Sequence, residues 1–201
     1  MDFLDGGDVS GQQGRMNQLT YHFVGDREAL VAHMLCLKQR RCPHCSCGGS
    51  LNRHSFLFGN DHVVVGACRV RGQRVFCCNR GRRGGCGRSF SVFLAEVLPR
   101  HSVGASILWG LLRLLMAGVS LKAATESMRA PFALETLYHL VKRLRGRLDV
   151  VRVLLFGRCK PPACSRADPV VQTAAHLGLV FENVECPVAE FQQGFQRAFC
   201  G

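Results

Sequence analysis

Cys42-Pro43-His44-Cys45 sets two thiols three residues apart across a turn stiffened by Pro43, a spacing that lets both sulfurs reach one metal ion. A second group follows at Phe76-Cys77-Cys78-Asn79-Arg80-Gly81-Arg82-Arg83-Gly84-Gly85-Cys86-Gly87-Arg88-Ser89-Phe90. A structural zinc site takes four tetrahedral N or S ligands, usually two from each of two knuckles. Cys42 and Cys45 form the first pair, and Cys86 belongs to the second. Its partner is Cys77 or Cys78, which spacing alone does not separate; residues 79–85 are then an inserted Arg/Gly loop. Cys47 and His44 are substitutes within the first knuckle. A catalytic zinc needs an open coordination position and a nearby acid, and only Asp61 and Glu96 are near in sequence, so one structural Zn2+ is expected. Without metal the small sheet has little core, and chelation is expected to unfold it.

Twelve cysteines would suit a secreted disulfide scaffold, but the start of the chain, Met1-Asp2-Phe3-Leu4-Asp5, has neither a basic nor an apolar leader region. Reduced thiols, and so metal binding, are the expectation. Cys36, Cys68, Cys159, Cys164, Cys186 and Cys200 read as buried apolar fillers. The most apolar stretch, 105–121, is interrupted by Arg113 and reads as a core helix rather than a membrane span. A soluble cytoplasmic protein with no membrane partner is expected.

The net charge is +12 over 201 residues, unevenly placed. Residues 1–35 carry net −3, residues 36–160 net +17 and residues 161–201 net −2. Twenty-two of the 26 cations are Arg, whose fork suits phosphates and guanine edges. Arg69, Arg71, Arg74, Arg80, Arg82, Arg83, Arg88 and Arg100 lie within 32 residues that hold one acid, Glu96. A solvated face usually mixes signs and this one does not, so the sequence points to nucleic acid, gripped mainly through phosphates. His54 and His62 read as strand or loop histidines. Residues 81–87 are Gly-rich but lack the Lys-Ser/Thr of a phosphate loop, and no Ser/His/Asp arrangement is legible.

The elements that must position these groups follow from periodicity and caps. The fold class expected is α+β, mostly α: a small antiparallel zinc ribbon followed by a helix-turn-helix domain. Residues 1–25 read as a disordered N-terminus, 26–98 as the ribbon domain with a leading helix, 99–160 as the helix-turn-helix domain and 161–201 as a C-terminal helical tail. Asp26 caps a helix over 27–39 with Leu30, Val31, Met34 and Leu37 on one face. Strands are expected over 53–58, 62–77 and 89–93, with Gly72-Gln73 as a turn or bulge. Helices are expected over 103–117, 121–129 and 133–147. Gly118 serves as a C-cap, Ser120 as an N-cap and Ala130-Pro131-Phe132 as a turn. On the third helix Leu134, Leu137, Tyr138, Val141 and Leu144 are assigned to the core. Glu135, Thr136, His139, Lys142 and Arg143 face outward as candidates for groove and phosphate contacts. A plain helical bundle with an exposed basic end is the simpler alternative. Asp168-Pro169 and Cys186-Pro187 each mark a helix start, and there is no internal repeat.

The run Cys42-Pro43-x-Cys45, then Arg-rich strands, then Cys77-x-Asn79-Arg80-Gly81-x-Arg83-Gly84-Gly85-Cys86-Gly87-Arg88-x-Phe90-Ser91 resembles the zinc-ribbon heads of bacterial insertion-sequence transposases and transposase-like orphans. Ala117-Gly118-x-Ser120-x4-Thr125 and Thr136-x-Tyr138 match the helix-turn-helix that follows in them, so the likeness covers about 40–150. In such relatives the position of Cys78 is commonly Ser, which assigns the ligand role to Cys77. The resemblance implies DNA binding and transposition-related ancestry. It implies no DNA cleavage: only 54 residues follow Arg147, too few for the three-carboxylate ribonuclease-H-like domain of such enzymes.

The sequence thus reads as a non-enzymatic, zinc-stabilised protein that binds double-stranded DNA, with the tail packing on the module, recruiting a partner or self-associating. Three other readings stay open. One is an RNA-binding zinc ribbon, disfavoured by two Tyr and one Trp for base stacking. Another is a protein-interaction adaptor with an acidic partner. The third is an enzyme subunit whose carboxylates come from a second chain.

Overall fold

A computed structural model describes residues 21–60, 67–81, 84–128 and 134–200. Within them lie four strands and seven α-helices, an α+β fold. The strands are β1 (Tyr21–Val24), β2 (Leu51–Asn60), β3 (Cys68–Cys77) and β4 (Ser89–Leu94), in the order β1-β4-β3-β2. β2–β3 and β3–β4 pair antiparallel, whereas β1 runs parallel to β4, Phe23 opposite Phe93. The sheet is therefore mixed, not purely antiparallel. The assignment of 1–25 to a disordered segment is corrected for Tyr21–Val24, which make an edge strand; 1–20 lie outside the described residues.

Alternation on β4 explains its two faces. Phe90, Val92 and Leu94 are buried among Leu30, Met34, Leu37, Leu51 and Val75, while Ser89, Ser91 and Phe93 are not. α1 (Arg27–Leu35) covers that buried face. Asp26 caps it by accepting the Ala29 N–H at 2.7 Å, and a 3-10 turn, Leu37–Gln39, carries the chain on to the first cysteines. His33, not Val31, completes the buried face of α1: Val31 is exposed and His33 is 5 % exposed. The β2–β3 register shifts between Leu57 and Phe58. Beside it, a Cβ on Gly72 would lie 2.2 Å from the Val92 carbonyl, so Gly72 marks a close approach of β4 within a continuous strand rather than a turn.

The helical layer consists of α2 (Ala105–Met116), α3 (Leu121–Ser127), α4 (Leu134–Arg145), α5 (Leu148–Phe156), α6 (Pro169–Val180) and α7 (Pro187–Phe195). Gly118 takes φ +90° just past α2, and Ser120 caps α3 through the Ala123 N–H, as the local sequence dictates. α5 lies beyond the 133–147 helix that the periodicity predicts and is an additional element. The expected turn at 130–132 and the strand residues 62–65 fall outside the described residues. The face of α4 also differs from expectation. Leu137, Leu140, Val141 and Leu144 are buried, while Leu134 and Tyr138 are 45 % and 41 % exposed. Leu140 fits the i, i+3, i+4, i+7 stripe with the other three, and Tyr138 does not.

Residues 161–201 are not a separate tail. Val170, Ala174, Leu177, Val188, Phe191 and Phe199 share one core with Leu108, Leu111 and Leu112 of α2 and Leu140 and Leu144 of α4. Two glutamines on and just after α7 tie this core to the sheet. Buried Gln192 donates its amide to the carbonyls of Ala95 (2.7 Å) and Val97 (2.9 Å) and accepts the Phe199 N–H. Gln196, at φ +52°, accepts the Phe23 N–H (2.9 Å) and donates to the Phe23 carbonyl (3.0 Å). Its side chain acts as one residue of a neighbouring strand and covers the outer edge of β1.

Candidate metal centre

The first knuckle is a tight backbone loop. Cys42 donates its N–H to the Cys47 carbonyl (3.0 Å), Ser46 donates to the Cys42 carbonyl (2.8 Å), and Arg41 bridges to Gly48. Ser46 at φ +59° and Gly49 at φ +70° reverse the chain. The second knuckle closes across the end of β3. The Cys77 N–H bonds the Arg88 carbonyl and the Gly87 N–H bonds the Cys77 carbonyl, each at 2.9 Å. Gly85 lets the loop pass underneath: a Cβ there would lie 2.1 Å from the Cys78 carbonyl and 2.7 Å from the Cys77 sulfur.

These loops bring Cys42, Cys45, Cys77 and Cys86 together, their sulfurs all within 4.8 Å of one another. Cys42 Sγ lies 3.8 Å from Cys86 Sγ, and Cys45 Sγ lies 3.7 Å from Cys77 Sγ. Metal–sulfur bonds of about 2.3 Å at tetrahedral angles set sulfurs about 3.8 Å apart, so the donor set fits a tetrathiolate metal site. A disulfide needs about 2.05 Å and is not what this geometry makes. Backbone N–H groups of His44 (3.4 Å) and Cys86 (3.3 Å) point at the sulfurs of Cys42 and Cys77, and the Ser50 hydroxyl lies 3.1 Å from Cys77 Sγ. Each favours a thiolate.

Electrostatics separate the four. Burial pushes the Cys42 thiol up to about 12 despite the His44 and Cys45 N–H groups, and burial likewise raises Cys86. Burial also opposes the Cys77 thiolate, but the Ser50 hydroxyl, the Cys86 N–H and the neighbouring thiols outweigh it and bring Cys77 down to about 7. A cation at the centre would favour all four thiolates. Cys78 spends its backbone N–H on the Ser50 carbonyl, and its sulfur is not among the four. Cys47 and His44 are not among them either; His44 sets its ring against Phe90. Of the six cysteines expected to be fillers, only Cys200 is fully buried. Cys36 and Cys68 are exposed, and Cys159, Cys164 and Cys186 are half-buried, because they sit at element ends or, for Cys159 and Cys164, in the stretch between α5 and α6, rather than on core faces.

The candidate nucleic-acid contacts divide. Arg74 is exposed on β3, Arg80 and Arg88 are exposed in the stretch that carries Cys77 and Cys86, and Arg82 and Arg83 lie outside the described residues. Arg71 does not serve as an outward phosphate contact. Its guanidinium donates to the carbonyls of Leu98 (3.1 Å) and His101, half-buried, and braces the loop between sheet and helices. Arg69 pairs with Glu96 at 2.9 Å. On α4, Glu135, His139, Lys142 and Arg143 are exposed and Thr136 is half-buried. Tyr138 and Leu134, missed as outward residues, lie one helical turn apart and share the side of Lys142. Their signal was available: Leu140 completes the apolar stripe without them. No helix among the described residues is long and apolar enough to cross a membrane. No family model matches the chain, and no curated protein and no solved structure matches it.

Proposed function

We propose that this protein is a zinc-stabilised binder of double-stranded DNA, related to the recognition head of a transposase, and that it binds without cleaving. The observation that carries the proposal is the tetrathiolate cluster in a stretch of chain that also carries exposed arginines. Cys42, Cys45, Cys77 and Cys86 hold one Zn2+, which supplies four bonds that fix both knuckles. Four thiolates fill a tetrahedral shell and leave no open position for a substrate, which favours a structural over a catalytic metal. Arg74, Arg80 and Arg88, together with Arg82 and Arg83, grip phosphates and set the register. α3 and α4 act as a helix-turn-helix. His139, Lys142 and Arg143 approach the major groove with Glu135, Thr136 and Tyr138, and the N-terminal turn of α4 reads base edges.

The test is fluorescence anisotropy of metal-replete protein on random duplex DNA across a salt series, with and without a zinc chelator. Binding should weaken steeply with salt and be lost on chelation. Replacing Arg80, Arg82 and Arg83 by Ala should weaken binding on all sequences alike and flatten the salt slope, whereas His139→Ala or Lys142→Ala should change sequence preference. Failure to bind duplex DNA at low salt would overturn the reading.

A further inference from the structure

The β2–β3 ribbon carries two bare phenylalanine rings, and we propose that they form a stacking platform for the unpaired bases of a DNA strand. Phe56 and Phe58 of β2 are 52 % and 63 % exposed, and neither belongs to a core cluster of the described residues. Their ring centroids lie 6.1 Å apart at an interplanar angle of 57°, so the rings are neighbours but neither stacks on the other. β2 is the outer strand of the sheet, and β4 pairs with β3 only from Gly72 to Phe76. Phe58, opposite Val70, and Asn60, opposite Cys68, therefore belong to a two-stranded stretch that runs past the end of β4.

Charge and spacing select the occupant. Residues 51–60 and 67–77 hold four arginines, Arg53, Arg69, Arg71 and Arg74, and no acid. Arg69 meets Glu96, and Arg71 is turned to the carbonyls of Leu98 and His101. Arg53 gives an N–H to the Met34 carbonyl (3.0 Å) and stays exposed, as does Arg74. Such a surface draws a polyanion. An aliphatic patch would serve any apolar partner, whereas ring faces beside arginines fit bases and their phosphates. Bases stacked in a duplex lie about 3.4 Å apart, little more than half the distance between the two rings. Successive bases therefore meet successive rings only where the strand is unstacked and drawn out. The strand is assigned as DNA because the arginines of the ribbon continue those of the proposed duplex contact, and to that extent the inference rests on that reading; the stacking itself requires only unpaired bases.

Fluorescence anisotropy of the full, reduced, metal-replete chain on labelled oligothymidylate tests it, with duplex DNA and oligouridylate measured in parallel. Oligothymidylate should bind, and Phe56→Ala and Phe58→Ala should each weaken it about tenfold while the thermal melt stays unchanged. Phe58→Leu keeps an apolar side chain and removes the ring, so it should lose as much as Phe58→Ala. Phe58→Trp should retain binding, and its indole emission, read above that of Trp109, the one native Trp, should be quenched by the strand. Duplex binding without oligothymidylate binding would overturn the platform and leave the duplex reading standing. Oligothymidylate binding without duplex binding would uphold the platform and overturn the duplex reading. Phe58→Leu binding as tightly as the wild type would overturn the platform, because apolar contact would then suffice without a ring. Tighter binding of oligouridylate than of oligothymidylate would overturn the assignment to DNA.

Discussion

Cys77 and Cys78 are adjacent thiols with different surroundings, and the difference is measurable. Cys77 receives the Ser50 hydroxyl and the Cys86 N–H, whereas the Cys78 sulfur is not among the four clustered ones. Cys77→Ser should therefore lose stoichiometric metal, and Cys78→Ser should retain it, as read by metal content after dialysis and by the thiolate-to-cobalt absorption of the substituted protein. Because Cys42 rises to about 12 without metal, binding must release its proton, and metal affinity should fall as pH falls. A second residue-scale effect belongs to His33, which burial, then Arg40 and His22, lower from the usual 6.5 to about 4. The unfolded chain takes up that proton near 6.5 and the folded chain resists it down to about 4, so stability present above pH 6.5 should be lost progressively towards pH 4. His33→Phe keeps a ring against His22 and should shift the acid midpoint of unfolding to lower pH.

The exchange of Tyr138 for Leu140 on the buried face of α4 gives a stability test at the scale of the element. Leu140→Ala should cost about 2–5 kcal/mol by chemical denaturation, and Tyr138→Ala less than about 0.5 kcal/mol. If Tyr138 lies at the DNA interface, its removal should instead weaken binding. Starts and stops were readable where the cause is local. Asp26, Ser120 and Asp168 each accept the N–H that a cap requires, and Pro169 and Pro187 open α6 and α7. Elements whose cause is distant were not readable. β1 is four residues long, and its partners are β4 and Gln196. α5 carries apolar residues on its outer face as well as its inner one, so it has no clean period to read. Of the metal site, spacing brought out Cys42, Cys45 and Cys86. The choice of Cys77 over Cys78 depends on which sulfur points inward at the end of β3, and spacing does not encode that.

At the scale of the whole molecule, polar contacts among the described residues couple the sheet to the helices. Gln192 answers two carbonyls of residues 95–97 and the N–H of Phe199, all buried. Gln192→Leu preserves volume and abandons those three groups, so unfolding in denaturant should lose about 2–5 kcal/mol. The same coupling changes what chelation should do. The sheet is braced by Gln192, Gln196 and Arg71 as well as by the cysteines, so metal removal should loosen the knuckles before the helical core melts. Divided labour also suits the charge pattern. The cationic stretch 36–160 spans both layers, while the mildly acidic ends supply the strand and helices that hold them together.

The bond between Phe23 and Gln196 spans 173 residues. A parallel edge strand has no hairpin to zip it, and β1 gains its register only when β4 is in place. Its outer edge is closed only when the chain past α7 has docked. Loop closure over such a span is slow compared with helix formation and local strand pairing. Refolding followed by hydrogen exchange should therefore protect the amides of α2 and the β3–β4 ladder first and those of β1 last. During synthesis, β1 would wait for the residues just past α7 to emerge.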